Sequence, residues 1–211
     1  MILSKLNLFI GFVVILIFTS CSPNRFTLKE KRVIRKGGTS GVMQIMLVGN
    51  YADSVILYKK SRNVLVSPNS KHLTKLVQRM YTTVRDPNNP GVGIAAPQVG
   101  INKRIIWVQR FDKQEKPFEA YLNTRIVYYS KTKSEGREGC LSIPGYRGFV
   151  NRSDTIVVNY DIIGQTSLSD TITGFTSVIF QHEIDHLEGV LYTDRITDKS
   201  KLSLLKDNAR Q

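Results

Sequence analysis

Two segments of the chain repeat their apolar positions about every 3.6 residues, the spacing typical of an amphipathic helix. The first runs from Ser70, a good helix N-cap, to about Arg85, and its apolar positions are Leu73, Leu76, Val77, Met80, Tyr81 and Val84. The second runs from about Gly174 to Glu188 and is followed by Gly189, a residue that favours the left-handed end of a helix. The pattern therefore predicts two helices, one on each side of a longer non-helical region.

The region between the two helices has the composition of β-strands. Four runs are rich in β-branched and aromatic residues and are separated by turn residues: Arg104 to Gln109, Phe118 to Tyr129, Phe149 to Val150, and Thr155 to Ile162. Gly164-Gln165 favours a hairpin after the last of them. Strands between two helices, without regular alternation of strand and helix, predict an α+β fold in which mostly antiparallel sheets pack around the second helix.

An apolar run near the N-terminus, Leu6 to Phe18, is too short to cross a bilayer. It has 13 residues, whereas a membrane-spanning helix takes about 20. The run and the Thr19-Ser20-Cys21 that follows it are typical of a signal peptide over residues 1–20. Small residues before a cysteine resemble the lipobox of bacterial lipoproteins, although Phe18 stands where that motif usually has Leu. We therefore expect Cys21 to carry a lipid that anchors the protein in the bacterial cell envelope, facing away from the cytoplasm.

Two alternatives to a lipoprotein signal remain open. The apolar run could be a short membrane anchor, or translation could start at Met43, which would leave a cytoplasmic protein. In the lipoprotein interpretation, residues 21–42 form a flexible tether, because they are polar and contain six Lys or Arg against one Glu. Residues 43–211 then form the folded domain.

The composition is that of a globular protein with a basic surface. The 211 residues are 41% hydrophobic and 22% charged, which excludes a disordered chain and a membrane bundle. The net charge is +13, yet the chain has no zinc-finger, ribonucleoprotein or heptad pattern. We therefore expect no nucleic-acid partner and interpret the charge as a solvated surface.

The second predicted helix contains an H-E-x-x-H pattern, His182-Glu183-Ile184-Asp185-His186. Residues four apart lie on the same face of a helix, so the two imidazoles can bind one metal ion. Glu183 then lies beside the metal, where a carboxylate can take a proton from water and return it to a leaving group. The pattern predicts a metal-dependent hydrolase, with Glu183 as its base.

The third metal ligand is not given by this pattern. A metzincin protease has a third His where this chain has Tyr192, and a gluzincin has a downstream Glu, whereas no Glu follows Glu188. The ligand is therefore expected upstream. Cys140 is the one cysteine besides Cys21, but an isolated cysteine is more often an inert buried thiol.

Three motifs together resemble the signature motifs of the peptide deformylase family, in the family's order. They are Gly91-Val92-Gly93-Ile94-Ala95-Ala96-Pro97-Gln98, Glu138-Gly139-Cys140-Leu141-Ser142, and Gln181-His182-Glu183-Ile184-Asp185-His186. The first of them also mimics a dinucleotide fingerprint, but it follows a proline turn, and Pro97 interrupts the helix that such a site needs. The resemblance extends from about Met43 to Asp198.

The resemblance implies removal of the formyl group from N-formylmethionyl peptides, which gives formate and a free N-terminus. Its metal ligands would be Cys140, His182 and His186, holding one divalent ion, Fe(II) or else Zn(II). Glu183 would be the general base, and the backbone N–H of Leu141 and the amide of Gln98 would stabilise an oxyanion.

Further expectations concern the substrate and the oligomeric state. Gly91, Val92 and Gly93 are expected to lie against the peptide substrate, and Val178 and Ile179 either line a pocket for the methionine side chain or pack in the core. The protein is expected to be a monomer. Two other functions remain open: an H-E-x-x-H metallopeptidase, and a noncatalytic lipoprotein that binds formylated peptides.

Overall fold

The computed structural model describes residues 24–36 and 41–204. The described helices are α1 (Leu28–Arg35), α2 (Tyr51–Leu57), α3 (Lys71–Val84) and α4 (Gly174–Glu188). The described strands are β1 (Gly93–Ala95), β2 (Ile105–Gln109), β3 (Phe118–Tyr129), β4 (Lys133–Cys140), β5 (Ile143–Ser153), β6 (Thr155–Ile162), β7 (Gln165–Thr173) and β8 (Leu202–Leu204). The predicted signal peptide and Cys21 lie outside the described residues.

The strands form two sheets in which all neighbouring strands are antiparallel. The larger sheet has the order β1-β2-β3-β6-β7, and the smaller has the order β4-β5-β8. β6 and β7 form the hairpin that Gly164 predicts, and Gly164 has the positive φ of +92° that this turn requires. The predicted α+β class with mostly antiparallel sheets is confirmed.

Helix α4 is the central element of the fold. Ile179, Phe180, Ile184 and Leu187 are buried against the larger sheet, where they meet residues of β1, β2, β3, β6 and β7. On another side, α4 contacts β5 of the smaller sheet. A helix between two sheets is buried over most of its circumference, so α4 can carry buried polar side chains that face a common site.

Helix α3 begins and ends where its apolar spacing predicts. The hydroxyl of Ser70 caps it by accepting a hydrogen bond from the backbone N–H of Leu73 at 3.3 Å. The apolar stripe of α3 is buried against β1 and β2 in a core that also includes Ile94 and Ile105. Trp107 packs against this core, and its indole N–H donates a hydrogen bond to the carbonyl of Val77.

The prediction of a flexible tether over residues 21–42 is wrong for residues 28–35, which form α1. Thr27 and Glu30 make a reciprocal capping box at its N-terminus, and Ile34 is fully buried in the core around α3. The buried guanidinium of Arg79 donates to the carbonyls of Val33 and Ile34 at 3.1 Å, which satisfies the C-terminal end of the helix. This basic segment is held by Ile34, by the partly buried Phe26 and Val33 that pack against the same core, by the N-cap and by the buried arginine.

None of the helices within residues 24–36 and 41–204 is both long and apolar enough to span a bilayer.

Candidate metal centre and active site

Cys140, His182 and His186 converge at the junction of the two sheets. The Cys140 Sγ lies 3.2 Å from Nε2 of His186, and potential ligand atoms of the three residues all lie within 4.8 Å of one another. The two histidines occupy one face of α4, while Cys140 ends β4, where a register irregularity precedes the turn into β5. The structure therefore brings the three expected metal ligands together.

Gln181 fixes α4 against the smaller sheet just before the first histidine. Its amide oxygen accepts from the backbone N–H of Ser153 at 3.1 Å, and its amide nitrogen donates to the carbonyl of the same residue at 2.8 Å. Ser153 ends β5, the hairpin partner of β4, which carries Cys140. These two bonds set the distance between the helix that holds the histidines and the hairpin that holds the cysteine.

Glu138 orients His182 from the side away from the other ligands. Its Oε2 lies 2.7 Å from Nδ1 of His182, which leaves Nε2 of that ring for a metal ion. Burial alone would raise the pKa of Glu138, but hydrogen bonds from His182 and Arg152 outweigh it and lower the pKa to about 2. Glu138 is therefore a permanent anion that holds one ligand ring in place.

A chain of charges continues behind Glu138, buried at Arg152 and Asp185 and exposed at its far end, Arg195. Arg152 binds both Glu138 oxygens, through Nε at 2.7 Å and Nη2 at 3.0 Å, and its Nη1 donates to Asp185 at 2.6 Å. Asp185 in turn binds Arg195 at 2.6 Å. Sequence reasoning assigned no role to Glu138, Asp185, Arg152 or Arg195. Glu138 and Asp185 stand in the motifs within two residues of a metal ligand, so the sequence contained a signal for them. No local pattern connects either arginine to the site.

The sulfur of Cys140 is in a state suited to a transition metal. Burial acts to raise the pKa of Cys140, but the adjacent His186 and His182 overcome it and hold the pKa well below its ordinary value, so the sulfur is a thiolate. A thiolate and two imidazoles form a donor set for Fe(II) or Zn(II). The buried Oε2 of Glu183 has no hydrogen-bond partner among the described residues. The donor set and this free acceptor beside it fit a divalent ion with a water molecule.

Glu183 is buried next to the metal ligands. Glu183 is 4% exposed. Burial raises the pKa of its carboxyl group to about 7, although the charges of the two histidines act to lower it. A carboxylate with a pKa near neutrality can both accept and return a proton. The position and the protonation behaviour of Glu183 therefore fit the predicted general base.

Gly93 makes room for the Glu183 carboxylate. A Cβ on Gly93 would lie 2.5 Å from Oε1 and 2.9 Å from Cγ of Glu183, well inside contact distance. Gly91, Val92 and Gly93 also line the cavity in front of the metal ligands, where they were expected to meet substrate. The sequence did not predict that Gly93 also has to accommodate the base.

The side chain of Gln98 is oriented by a backbone N–H three residues earlier in the chain. Its Oε1 accepts a hydrogen bond from the N–H of Ala95 at 2.8 Å, so that Nε2 is directed toward Cys140 Sγ and Ser142 Oγ, both at 3.4 Å. Gln98 is 1% exposed and lines the same cavity as Leu141, the residue after Cys140. Both predicted oxyanion donors thus lie beside the metal ligands.

The cavity has a volume of about 440 Å³ and opens from the metal ligands to the surface. Its apolar wall includes Val178, Ile179, Leu141 and Phe175. Ile179 lines the cavity and also belongs to the core, while Val178 is only partly buried. That the two residues contact a methionine side chain stays a prediction. Phe175 is 55% exposed and was not predicted as a site residue, since one exposed aromatic gives no signal in the sequence.

The comparison with protein families identifies this arrangement. Residues 43–202 match the family described as polypeptide deformylase. The chain is 36% identical over 163 residues to a peptide deformylase of Leptospira biflexa, covering 74% of this chain and 88% of that protein. It is 37% identical over 146 residues to that of Finegoldia magna, covering 69% and 86%.

Solved structures agree with the sequence relatives. The peptide deformylase of Thermotoga maritima matches with a TM-score of 0.66 and 31% identity, covering 74% of this chain and 99% of that one. A class I type b peptide deformylase of Acinetobacter baumannii bound to Met-Ala-Ser matches with a TM-score of 0.64 and 34% identity, also covering 74% and 99%. The centre formed by Cys140, His182, His186 and Glu183 lies within the matched residues. The chain belongs to the peptide deformylase family of metal-dependent hydrolases.

Proposed function

We propose that Glu183 transfers the proton in deformylation, and that Gln98 and Leu141 stabilise the oxyanion. The reaction takes place at the Cys140–His182–His186 centre. The observation that carries the proposal is the buried Oε2 of Glu183, which has no hydrogen-bond partner among the described residues. Glu183 lines the same cavity as the metal ligands Cys140 and His182. The reaction adds water to an N-formylmethionyl peptide and yields formate and a peptide with a free amine.

The proposed metal is Fe(II), with Zn(II) as the alternative. Cys140, His182 and His186 hold it, and when bound it polarises the formyl oxygen and lowers the pKa of the attacking water. Glu138 and the arginine behind it keep the His182 ring in its binding orientation.

Glu183 transfers the proton. Its carboxylate takes a proton from the water that attacks the formyl carbon, and it then gives that proton to the peptide nitrogen as the C–N bond breaks. Glu183 is 4% exposed, and its pKa of about 7 allows both steps near neutral pH. Gly93 lets the carboxylate lie against β1 without a steric clash.

Gln98 and Leu141 stabilise the negative charge that develops on the formyl oxygen. The Gln98 amide is locked with its N–H group toward the metal ligands, because its oxygen is already bound to Ala95. The backbone N–H of Leu141 follows directly after the ligand Cys140. Donors that are fixed before the reaction need no reorganisation as charge develops.

The cavity wall supports a peptide that begins with methionine. Val178 and Ile179 lie about one helical turn before His182 and offer an apolar surface for the methionine side chain, while Gly91 to Gly93 offer backbone in the same cavity. The related Acinetobacter baumannii enzyme was solved with Met-Ala-Ser bound. We propose the same class of peptide as substrate here, with the protein acting as a monomer.

The proposed location is the bacterial cell envelope. Cleavage before Cys21 and lipidation of its sulfur would leave the enzyme anchored and facing away from the cytoplasm. Its substrates would then be formylated peptides that have left the cytoplasm. If translation instead starts at Met43, the enzyme is cytoplasmic.

Formate release from two matched peptides tests this function. Purified protein loaded with Fe(II) is expected to release formate and Met-Ala-Ser from formyl-Met-Ala-Ser and to leave acetyl-Met-Ala-Ser intact. Cleavage of an internal peptide bond without formate would indicate a metallopeptidase. Binding of the formyl peptide without any product would indicate a noncatalytic binding protein.

A further inference from the structure

Helix α1 presents a face made almost entirely of cations. Its exposed positions follow helical spacing on the side opposite the buried Ile34, and they are Leu28, Lys29, Arg32, Arg35 and the C-cap Lys36. Leu28 is 73% exposed. The one acidic residue of the helix, Glu30, points the other way, is buried and pairs with Arg62 at 3.7 Å. The exposed face of α1 therefore has four positive charges and no negative one.

Helix α3 extends this basic face. Burial lowers the pKa of His72, and the nearby charges of Lys31, Arg35 and Lys75 lower it further. Cations of both helices therefore lie around this one side chain. Lys71 is in the first turn of α3, where the helix dipole disfavours a cation, and α3 contains no acidic residue. We call the set Lys29, Lys31, Arg32, Arg35, Lys36, Lys71 and Lys75 the α1–α3 basic face.

The cations of the α1–α3 basic face have no ion-pair partners within residues 24–36 and 41–204. Clustering like charges without counter-charges is unfavourable for the isolated domain, because each charge repels the others. The cluster fits an external anionic partner.

The orientation of this face relative to the catalytic domain is fixed. Arg79 holds the end of α1 through the carbonyls of Val33 and Ile34, and it also donates to the carbonyl of Gly41 at 3.1 Å. At the other end, the carbonyl of Asn24 accepts a hydrogen bond from the N–H of Leu65 at 2.9 Å. The segment is therefore docked on the domain from its first described residue.

The N-terminal apolar run lies close to this face along the chain. Asn24 is three residues after Cys21 and six after Phe18. At about 3.5 Å per extended residue, the chain between Cys21 and Asn24 spans about 10 Å, and that between Phe18 and Asn24 about 20 Å. Whether the membrane attachment is a lipid on Cys21, as proposed above, or the apolar run itself, the docked segment lies within that reach of the bilayer.

We propose that the α1–α3 basic face docks on the surface of an anionic phospholipid bilayer and sets the orientation of the enzyme on the membrane. Lysine and arginine bind anionic headgroups, and the exposed Leu28 among them can enter the headgroup boundary. The charge, the short connection to the apolar run and the rigid docking of α1 all favour a membrane surface as the partner.

Lysine labelling of the full chain in vesicles tests the proposal. The protein is extracted from membranes in detergent and reconstituted into phosphatidylcholine vesicles with or without about one third phosphatidylglycerol. A membrane-impermeant acylating reagent is added, and mass spectrometry compares Lys29, Lys36 and Lys71 with Lys131, Lys133 and Lys199, which are exposed elsewhere on the domain. We expect labelling of the first set to fall at least about threefold with phosphatidylglycerol and to recover in about 1 M salt, while the second set stays unchanged.

Matched triple variants separate a specific face from total charge. Lys29→Gln/Arg32→Gln/Lys36→Gln is expected to abolish the protection of Lys71, whereas Lys131→Gln/Lys133→Gln/Lys199→Gln, with the same change in charge, retains it. Both variants are expected to release formate at the wild-type rate, which shows that they are folded. Mass spectrometry of the N-terminus reports separately whether Cys21 is lipidated, so a failed lipid-anchor proposal is distinguishable from a failed docking proposal.

Three results would overturn the docking proposal. The first is equal labelling of Lys29, Lys36 and Lys71 in the two kinds of vesicle. The second is protection that survives in the Lys29→Gln/Arg32→Gln/Lys36→Gln variant. The third is protection by added single-stranded RNA but not by the anionic vesicles, which would identify the face as a nucleic-acid surface.

Discussion

The carboxylate of Glu138 lies 2.7 Å from Nδ1 of His182 and simultaneously binds both the Nε and the Nη2 of Arg152. One side chain thus fixes the tautomer of a metal ligand and is itself fixed by a buried cation. Hydrogen bonds from His182 and Arg152 lower the pKa of Glu138, so its carboxylate is ionised near neutral pH and leaves Nε2 of the His182 ring for the metal. The metal centre is therefore built from the motif residues together with the charges behind them.

Replacing Glu138 tests this support of the ligand ring. Glu138→Gln keeps the size of the side chain but loses the charge that binds His182 and Arg152, and we expect metal affinity to fall about 10- to 100-fold. Competition titration with a chelator measures the change. Glu135→Gln, which removes an exposed carboxylate from the same strand, is the matched control and should leave the affinity unchanged. An unchanged affinity in Glu138→Gln would show that His182 needs no such partner.

Removing the thiolate tests the ligand set. Cys140→Ala leaves two imidazoles and no anionic ligand, so we expect the protein to lose most of its metal and its activity together. Elemental analysis of the purified protein checks this outcome, with Cys21→Ala, which changes the chain's other cysteine, as control. If Cys140→Ala kept one metal ion per chain and full turnover, the third ligand would have to be a different residue.

Gly93 offers a steric test of the catalytic base. In Gly93→Ala the new methyl group would overlap Glu183, whose Oε1 is 2.5 Å from the ideal Cβ position, so the carboxylate has to move. A displacement of about 1 Å in such a site can lower turnover about 10²-fold. Steady-state kinetics should show a fall of that order in kcat with metal retained. Gly136→Ala adds the same methyl group on β4, where nothing lies within 4 Å, and should be close to wild type; equal activity of the two variants would contradict the steric argument.

Gln98 is expected to contribute through its N–H group. Gln98→Glu retains an oxygen for the N–H of Ala95 but replaces the donor with a carboxylate, and Gln98→Leu removes both groups. Each should lower kcat by about 10² to 10³, the usual effect of losing one oxyanion donor. Circular dichroism at increasing temperature should show the greater loss of stability in Gln98→Leu, because the Ala95 N–H is then buried without a partner. Wild-type kcat in Gln98→Glu would remove Gln98 from the mechanism.

The elements that the sequence predicts best are those whose signals are local. The spacing and caps of α3 and α4 define both helices to within a residue or two, and β3 and β6 are rich in β-branched and aromatic residues. By contrast, β4 was missed, since its sequence is mostly polar and half of its residues are exposed. It is a strand because its backbone pairs with β5, a contact that no local pattern encodes.

Helix α1 was missed for a different reason. Its composition is basic and suggests a tether, but Thr27 and Glu30 have the spacing of a capping box, a signal that is present in the sequence. Ile34 is the only buried apolar residue of this charged helix, and the cation that holds the end of the helix, Arg79, is 45 residues away along the chain. Arg152 was missed for the same reason, because it is far along the chain from the histidines. The metal ligands can be recognised from motifs, but the residues that orient them lie on other elements of the fold.

We infer that Glu183 moves the proton and that the three metal ligands hold the ion without it. In Glu183→Gln the shape and hydrogen-bonding capacity of the side chain remain, but it cannot accept a proton. The most direct measurement is formate release from formyl-Met-Ala-Ser by wild-type and Glu183→Gln protein, each with its metal content determined on the same sample. We predict equal metal content and a rate lower by at least about 10²-fold in the variant. Equal rates at equal metal content would contradict the account.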